Sequence, residues 1–448
     1  MPYEFDRVSG QEELNPLFEA NEAYVDPASF ELKGSLQDQS HALYMDRVTF
    51  IFALIGFMLA LDAAWWFISM KMAKKGWRLA TTAFMAAQVT GLLGIVGSRI
   101  LHSGWDRAFP KFAVSAIFLW HFFGLTSLFI LGLCLLAVWI IRQTRKRLGI
   151  KKSDEPPHLD ERDVLRRREF LGIAAAVIPP LFTVSLSTIA MSQLNSFRVR
   201  RFEFPVPGLP RDLDGLTIAQ VSDIHVGRFT SGRVLREMVR VTNELKADLV
   251  LLTGDLINDA LADLPEGIDI VRSIHGRHGL CMIEGNHDLI ENGPEFRRIV
   301  RAAGIPFLVD ESTTLTIRGC PVQLLGLRWN HSKVGKRDEL ITQSVRDLLT
   351  QRQPDAFQIL MAHHPHAFDG AAGAGIPLVL AGHTHGGQLM LNDHIGFGPE
   401  MFSYWSGLYS QGKSQMIVSN GVGNWFPLRV NAPAEIVHLT LRHTVVTT

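Results

Sequence analysis

The chain has 448 residues, room for two or three domains, and 47% of them are hydrophobic, which is high for a soluble protein of that size. Its 44 Lys and Arg balance 44 Asp and Glu, so it lacks the basic excess of a nucleic-acid binder and no nucleic-acid partner is expected. Three cysteines have neither metal-finger spacing nor the number for a disulfide framework, and Cys281 and Cys320 read as buried thiols.

Residues 1–47 carry ten acidic against three basic residues and read as a solvated acidic arm. Residues 48–141 form a three-span membrane domain: Val48 to Met70, Leu79 to Ile100 and Phe112 to Ile141 each exceed the roughly 20 residues that cross a hydrocarbon core. Trp65, Trp66, Trp105 and Trp139 fall near expected span ends, where indoles favour the interface. A basic linker over 142–170 follows, then a fourth span over 171–191. Ten Lys or Arg in 142–168, and four in 71–78, mark those connections as cytoplasmic. The fourth span therefore runs outward and carries the C-terminal half to the periplasmic or extracellular side of a bacterial inner membrane. Arg167-Arg168-Glu169-Phe170-Leu171 before that span resembles a twin-arginine export signal, although Arg166 and Gly172 depart from the usual pattern, and a plain signal anchor reads the same residues. Asp62 and His121 are isolated ionisable groups inside spans, to be paired with a neighbouring helix or used in function.

From about Phe197 the pattern changes to short apolar strands separated by amphipathic stretches. Five strands, LTIAQVSDIHVG (216–227), ADLVLLTGDLIND (247–259), GLCMIEGNHD (279–288), FQILMAHHPH (357–366) and PLVLAGHTHGGQ (377–388), each deliver His, Asp or Asn at the C-terminal end. Open α/β sheets place their chemistry at that rim. Carboxylate, imidazole and amide oxygen suit divalent metals, and two such ions can clamp both the attacking and the leaving oxygen of a phosphoryl group. Asp223 and His225 can bind one ion together, Asp255 can bridge two, Asn286 adds a neutral oxygen, and His383 and His385 can each reach an ion. Two dications against Asp223, Asp255 and a bridging hydroxide leave about +1, a site suited to an anionic ester.

The ordered set Asp-x-His, Gly-Asp, Gly-Asn-His-Asp, a later His and Gly-His-Thr-His-Gly-Gly-Gln resembles the calcineurin-like metallophosphoesterases, in their membrane-tethered or twin-arginine-exported bacterial branch, over about residues 200–445. The resemblance implies an α/β fold, a two-sheet αββα sandwich, here preceded by an α-helical membrane domain of about four spans. It also implies two divalent ions (Mn, Fe, Zn or similar), one on Asp223, His225, Asp255 and His385, the other on Asp255, Asn286, His363 and His383. His363 is chosen from Ala-His-His-Pro-His as the histidine two before the proline, with His364 and His366 left to the rim. His287 would stand over the phosphate as general acid, held by Asp288. The expected activity is hydrolysis of a phosphodiester, pyrophosphate or phosphomonoester by a metal-bridging hydroxide. A connection of about 25 residues, reaching at most about 90 Å, keeps the domain near the bilayer and favours a lipid or cell-envelope substrate. The competing expectation is a membrane receptor or transport-associated protein whose phosphoesterase-like domain binds without turnover.

Overall fold

The computed structural model describes residues 49, 52–71, 75–101, 104–148, 161–330, 337–392 and 394–444. The acidic arm and the middle of the basic linker lie outside these. Four helices among the described residues are long and apolar enough to cross a membrane. They are α1 (Phe52–Lys71), the Gly76–Ser98 part of α2 (Lys75–Ile100), a Lys111–Arg145 segment, and the Ala176–Leu194 part of α5 (Glu161–Leu194). The third is not one uniform helix. It is α3 (Lys111–Leu119), a π-turn over Trp120–Gly124 and α4 (Leu125–Arg147). The arginine motif before the fourth span falls inside α5 rather than in a linker.

The π-turn carries the polar centre of the membrane half. Asp62, on α1, is 1% exposed and accepts from Trp120 Nε1 at 2.7 Å, while its other oxygen lies 3.1 Å from His121 Nε2. His121 Nδ1 lies 2.7 Å from Ile117 O. A carbonyl can only accept, so Nδ1 carries a proton, and the contact between Nε2 and the carboxylate is a hydrogen bond across the two helical segments. Trp65 packs edge-on against Trp120 with ring centroids 4.8 Å apart and is buried, so it seals this pair rather than marking the interface as its position suggested.

Beyond α5 the chain builds two sheets. The first has the order β1-β13-β2-β3-β4. Strands β2 (Thr217–Val221), β3 (Leu249–Thr253) and β4 (Leu280–Ile283) are parallel, and β13 (Ala434–Thr444) joins β2 antiparallel and β1 (Phe197–Pro207) parallel. The second sheet has the order β11-β12-β8-β7-β6-β5. In it β6 (Cys320–Gly326), β7 (Phe357–Met361), β8 (Leu378–Ala381) and β12 (Ser414–Val418) are parallel. β5 (Glu311–Ile317) and β11 (Gly407–Gln411) close its edges antiparallel.

Central strands bury both faces, which is why they read as continuous apolar runs. Ile218, Leu251 and Ile283 of the first sheet meet Leu324, Ile359 and Leu380 of the second between the layers. The alternate residues Val221, Val250 and Met282 face α6 (Arg233–Glu244), α7 (Leu264–Arg272) and α8 (Gly293–Ala302). On the far side Leu325, Leu360 and Val379 pack on α9 (Arg337–Leu348) and α10 (Ala367–Gly373). The result is the αββα sandwich expected from the motifs. Gln220 ties the two sheets near the functional rim, donating to Thr253 Oγ1 at 3.0 Å and Ala381 O at 2.8 Å.

No long tether joins the halves. Only Asn195 and Ser196 separate α5 from β1, and β1 is itself part of the first sheet. The domain also rests directly on the helices. Lys111 Nζ donates to Phe229 O at 3.3 Å, Arg228 Nη2 to Phe109 O at 2.5 Å, and Asn424 Nδ2 to Leu194 O at 2.9 Å. Leu119 and Ala190 of the helices share an apolar cluster with Leu428 and Val430. The α2–α3 connection and the C-terminal end of α5 thus lie on one side, with the sandwich.

Candidate metal centre

Each strand of the rim ends in a turn that throws polar side chains inward. Asp223, His225, Asp255, His383 and His385 all have positive φ, between 47° and 76°. That region costs a non-glycine residue of order 1–2 kcal/mol. Five such residues in one spot are held there by their surroundings. Asp223 N donates to Gly254 O and His225 N to Asp255 O, both at 3.0 Å, so the first two loops are laced together. Gly254 and Gly285 leave no room for a side chain: a Cβ on the first would lie 2.6 Å from His363 Nδ1, and on the second 2.1 Å from Asp255 Oδ1.

The side chains converge in overlapping groups whose ligand atoms lie within 4.8 Å of one another: Asp223, His225 and His385; Asp255, His363 and His383; and His225, Asp255 and His287. His225 Nε2 and His385 Nε2 are 3.0 Å apart, with Asp223 Oδ1 3.4 Å from the latter. His363 Nδ1 donates to Thr253 O at 2.7 Å, which turns Nε2 toward Asp255 Oδ2 at 3.1 Å. Asn286 Oδ1 is buried without a hydrogen-bond partner. A buried oxygen acceptor left open near two carboxylates, with the His363 imidazole against Asp255, suits a divalent cation, so the residues present fit a metal.

The electrostatics of the metal-free site have the same origin. Burial raises the Asp223 carboxyl to about 6, with Asp255 adding to the rise. For His363 burial acts downward, but Asp255 and Asp223 outweigh it and lift the imidazole to about 9. His225 and His385 are held well below the usual histidine range, first by burial and then by neighbouring positive groups, which keeps them in the neutral form that can ligate.

His287 sits at the mouth. Its N–H donates to Asp255 Oδ1 at 2.8 Å, and Nδ1 is 2.6 Å from Asn258 O. Asp288 does not hold its ring, as the sequence suggested. Its carboxylate instead accepts from Ile257 N at 3.0 Å and Gly285 N at 2.9 Å, fixing the loop backbones that carry Asp255 and Asn286. His364 stacks on Trp329 and His366, with centroids 5.4 and 4.9 Å apart, beside the cluster. Trp329 also covers His383 at 4.9 Å.

Sequence reasoning missed Arg429. It is fully buried and donates to Asn424 Oδ1 at 2.6 Å, Ala432 O at 3.0 Å and Gly423 O at 2.6 Å, while Nη2 lies 3.0 Å from His385 Nδ1. It stitches the closing loop behind His385. The only signal in the sequence was an arginine set among Asn, Gly and Pro, residues whose turns leave carbonyls to be satisfied.

Residues 216–387 match the family model described as calcineurin-like phosphoesterase, and the sandwich domain that contains them is similar to that family. The chain is 29% identical over 290 residues to the uncharacterized metallophosphoesterase YkuE of Bacillus subtilis, covering 62% of this chain and 99% of that one. It is 28% identical over 266 residues to a transmembrane protein with metallophosphoesterase domain of Danio rerio, covering 54% and 56%. It is 24% identical over 319 residues to the UDP-2,3-diacylglucosamine pyrophosphatase LpxG of Chlamydia trachomatis, covering 59% and 96%.

Proposed function

We propose that the protein is a membrane-anchored, dinuclear metal-dependent phosphoesterase, with its catalytic half on the periplasmic side of a bacterial inner membrane. The observation that carries this reading is the convergence of Asp223, His225, Asp255, His383 and His385, all on strained rim turns, with His363, and with Asn286 Oδ1 left open. Asp223, His225 and His385 would hold one cation, Asn286, His363 and His383 the other, and Asp255 both. Bound divalent cations supply Lewis acidity at phosphorus and a nucleophile at neutral pH.

The chain's own residues do the rest. Asn258 O fixes the Nδ1 proton of His287, so Nε2 is the atom free to exchange a second proton: the imidazolium form gives that proton to the leaving oxygen and is left as the neutral Nδ1–H ring. Asp288 holds the two loops at a fixed separation. Arg429 backs His385 and keeps its ring from turning away from the cluster. The relative named for UDP-2,3-diacylglucosamine, which carries acyl chains and a pyrophosphate, supports a lipid or cell-envelope phosphoester as substrate.

The test is turnover of bis-(p-nitrophenyl) phosphate by the purified full-length protein supplied with Mn²⁺, alongside its metal content. Turnover at a stoichiometry near two supports the reading; protein that binds no divalent metal would end it.

A further inference from the structure

A line of aromatic rings leads out of the candidate centre into the membrane half. His287 lies 5.7 Å from Trp425, Trp425 5.5 Å from Phe426, Phe426 4.7 Å from Phe118 and Phe118 5.7 Å from Phe122, all centroid to centroid. Phe118 belongs to α3 and Phe122 to the π-turn, so the last two rings stand on a helix long and apolar enough to span a bilayer. If this series served only to glue the halves together, its ends would be covered. They are not: Trp425 keeps 39% and Phe122 43% of its surface open. Exposed aromatic faces are unfavourable in water and natural against acyl chains.

A second feature sits on the same flank. The hairpin of β9 (Met390–Asn392) and β10 (Ile395–Gly396), with α11 (Phe397–Met401), directly follows Gly-His-Thr-His-Gly-Gly-Gln. It presents Leu391 at 73%, Ile395 at 56% and Met401 at 64% exposure, and Phe397 packs edge-on against Phe123 of the π-turn at 5.1 Å. Large exposed side chains grouped beside a membrane helix mark a surface that meets lipid rather than water. Two cations, Lys111 and Arg228, lie at the junction of the halves, where an anionic head group would be attracted.

We propose that the membrane half forms one wall of the substrate site: the phosphate of an amphipathic lipid enters the metal centre while its apolar tail lies along Trp425, Phe426, Phe118 and Phe122 into the bilayer. The proposal rests on the phosphoesterase reading and names its substrate class. It also gives the short Asn195–Ser196 junction a purpose, because a wall shared by two domains must be held in fixed register.

The experiment uses full-length, Mn²⁺-loaded protein in phosphatidylglycerol/phosphatidylcholine nanodiscs and two diesters of identical reacting chemistry, p-nitrophenyl hexadecyl phosphate and p-nitrophenyl methyl phosphate. The readout is the ratio of their kcat/KM values. It should favour the long chain in the unaltered protein and fall about fivefold to tenfold in Phe122→Ala, the scale of one lost aromatic contact. It should hold in Ile130→Ala, an exposed position on α4 that takes no part in the ring series. Should Phe122→Ala fail to fold, a hexadecyl phosphate with a diazirine in its tail should crosslink to the 118–122 segment of the unaltered protein. A ratio near one, a ratio unchanged by Phe122→Ala, or crosslinks confined to other helices would overturn the shared wall while leaving the phosphoesterase standing. Hydrolysis of neither diester by metal-loaded protein would instead sink the phosphoesterase reading itself.

Discussion

Two clusters of buried polar side chains sit in one chain, and they are built on opposite principles. At the rim of the sandwich, carboxylates and imidazoles converge on strained backbone with Asn286 Oδ1 left open. In the membrane half, both oxygens of Asp62 and both nitrogens of His121 have partners within 3.1 Å, on helical backbone. A buried polar group without a partner costs of order 1–3 kcal/mol. A fold keeps that cost where a ligand will repay it and removes it elsewhere by closing the network. The comparison therefore assigns ligand binding to the first cluster and helix-to-helix registry to the second.

The strongest way to break this contrast is at Asp255, which belongs to two of the three convergent groups. Asp255→Ala should lose bound metal and nearly all activity on a soluble diester, read by elemental analysis and turnover of the same sample. Full metal content in that variant would show that the open cluster is not organised around the bridge. His287 comes next. It belongs to a potential ligand group with His225 and Asp255, yet its proposed task is proton delivery. His287→Ala should retain metal while turnover falls by roughly 10²–10⁴. Loss of metal would make it a ligand instead.

The open cluster was largely legible in the sequence and the closed one was not, for a physical reason. Asp223, His225, Asp255, Asn286, His383 and His385 lie at strand ends, where chain order and sheet topology together force them onto one rim. The pairing of Asp62 with His121 depends on how two distant helices pack and on a π-turn that hydropathy does not encode. The apolar runs marked the central strands and the resemblance supplied the sandwich, whereas the edge strand β1 was read as tether, because its exposed alternation of Arg and Glu looks solvated until β13 pairs with it. Arg429 escaped notice because its partners are mainly backbone carbonyls, which no side-chain pattern announces. Asp288 was set against His287 by the family resemblance, and the turn there sends the two side chains to different partners.

A protonation measurement sharpens the contrast at intermediate effect size. In metal-free protein His363 keeps its proton up to about 9 and Asp223 up to about 6. Cation binding must expel the His363 proton between those values, so affinity should rise about tenfold per pH unit there, and more steeply below about 6. The sign for stability is opposite in the metal-free form. A histidine raised above its unfolded value of about 6.5 stabilises fully below that pH, and the contribution is lost as pH rises through about 9. Asp223, also raised, stabilises the metal-free fold only at low pH and ceases to as pH passes about 6. The gap in Tm between Mn²⁺-loaded and chelator-treated protein should therefore widen from pH 6 to 9. A constant gap would mean that these groups do not bind the metal.

The smallest expected effect on activity tests the closed network. Asp62→Ala leaves the Trp120 indole N–H and His121 Nε2 without their partner in an apolar interior, which should cost about 1–3 kcal/mol of stability. Asp62→Asn keeps an acceptor for Trp120 and should cost less. If the cluster only registers α1 against the π-turn, activity per folded molecule on a soluble diester should stay within about twofold in both variants, while Tm falls more for alanine than for asparagine. The two measurements separate the possibilities cleanly, since registry acts through stability and chemistry acts through turnover. A variant that remains folded, retains its metals and yet loses most of its turnover would show that this buried pair communicates with the rim.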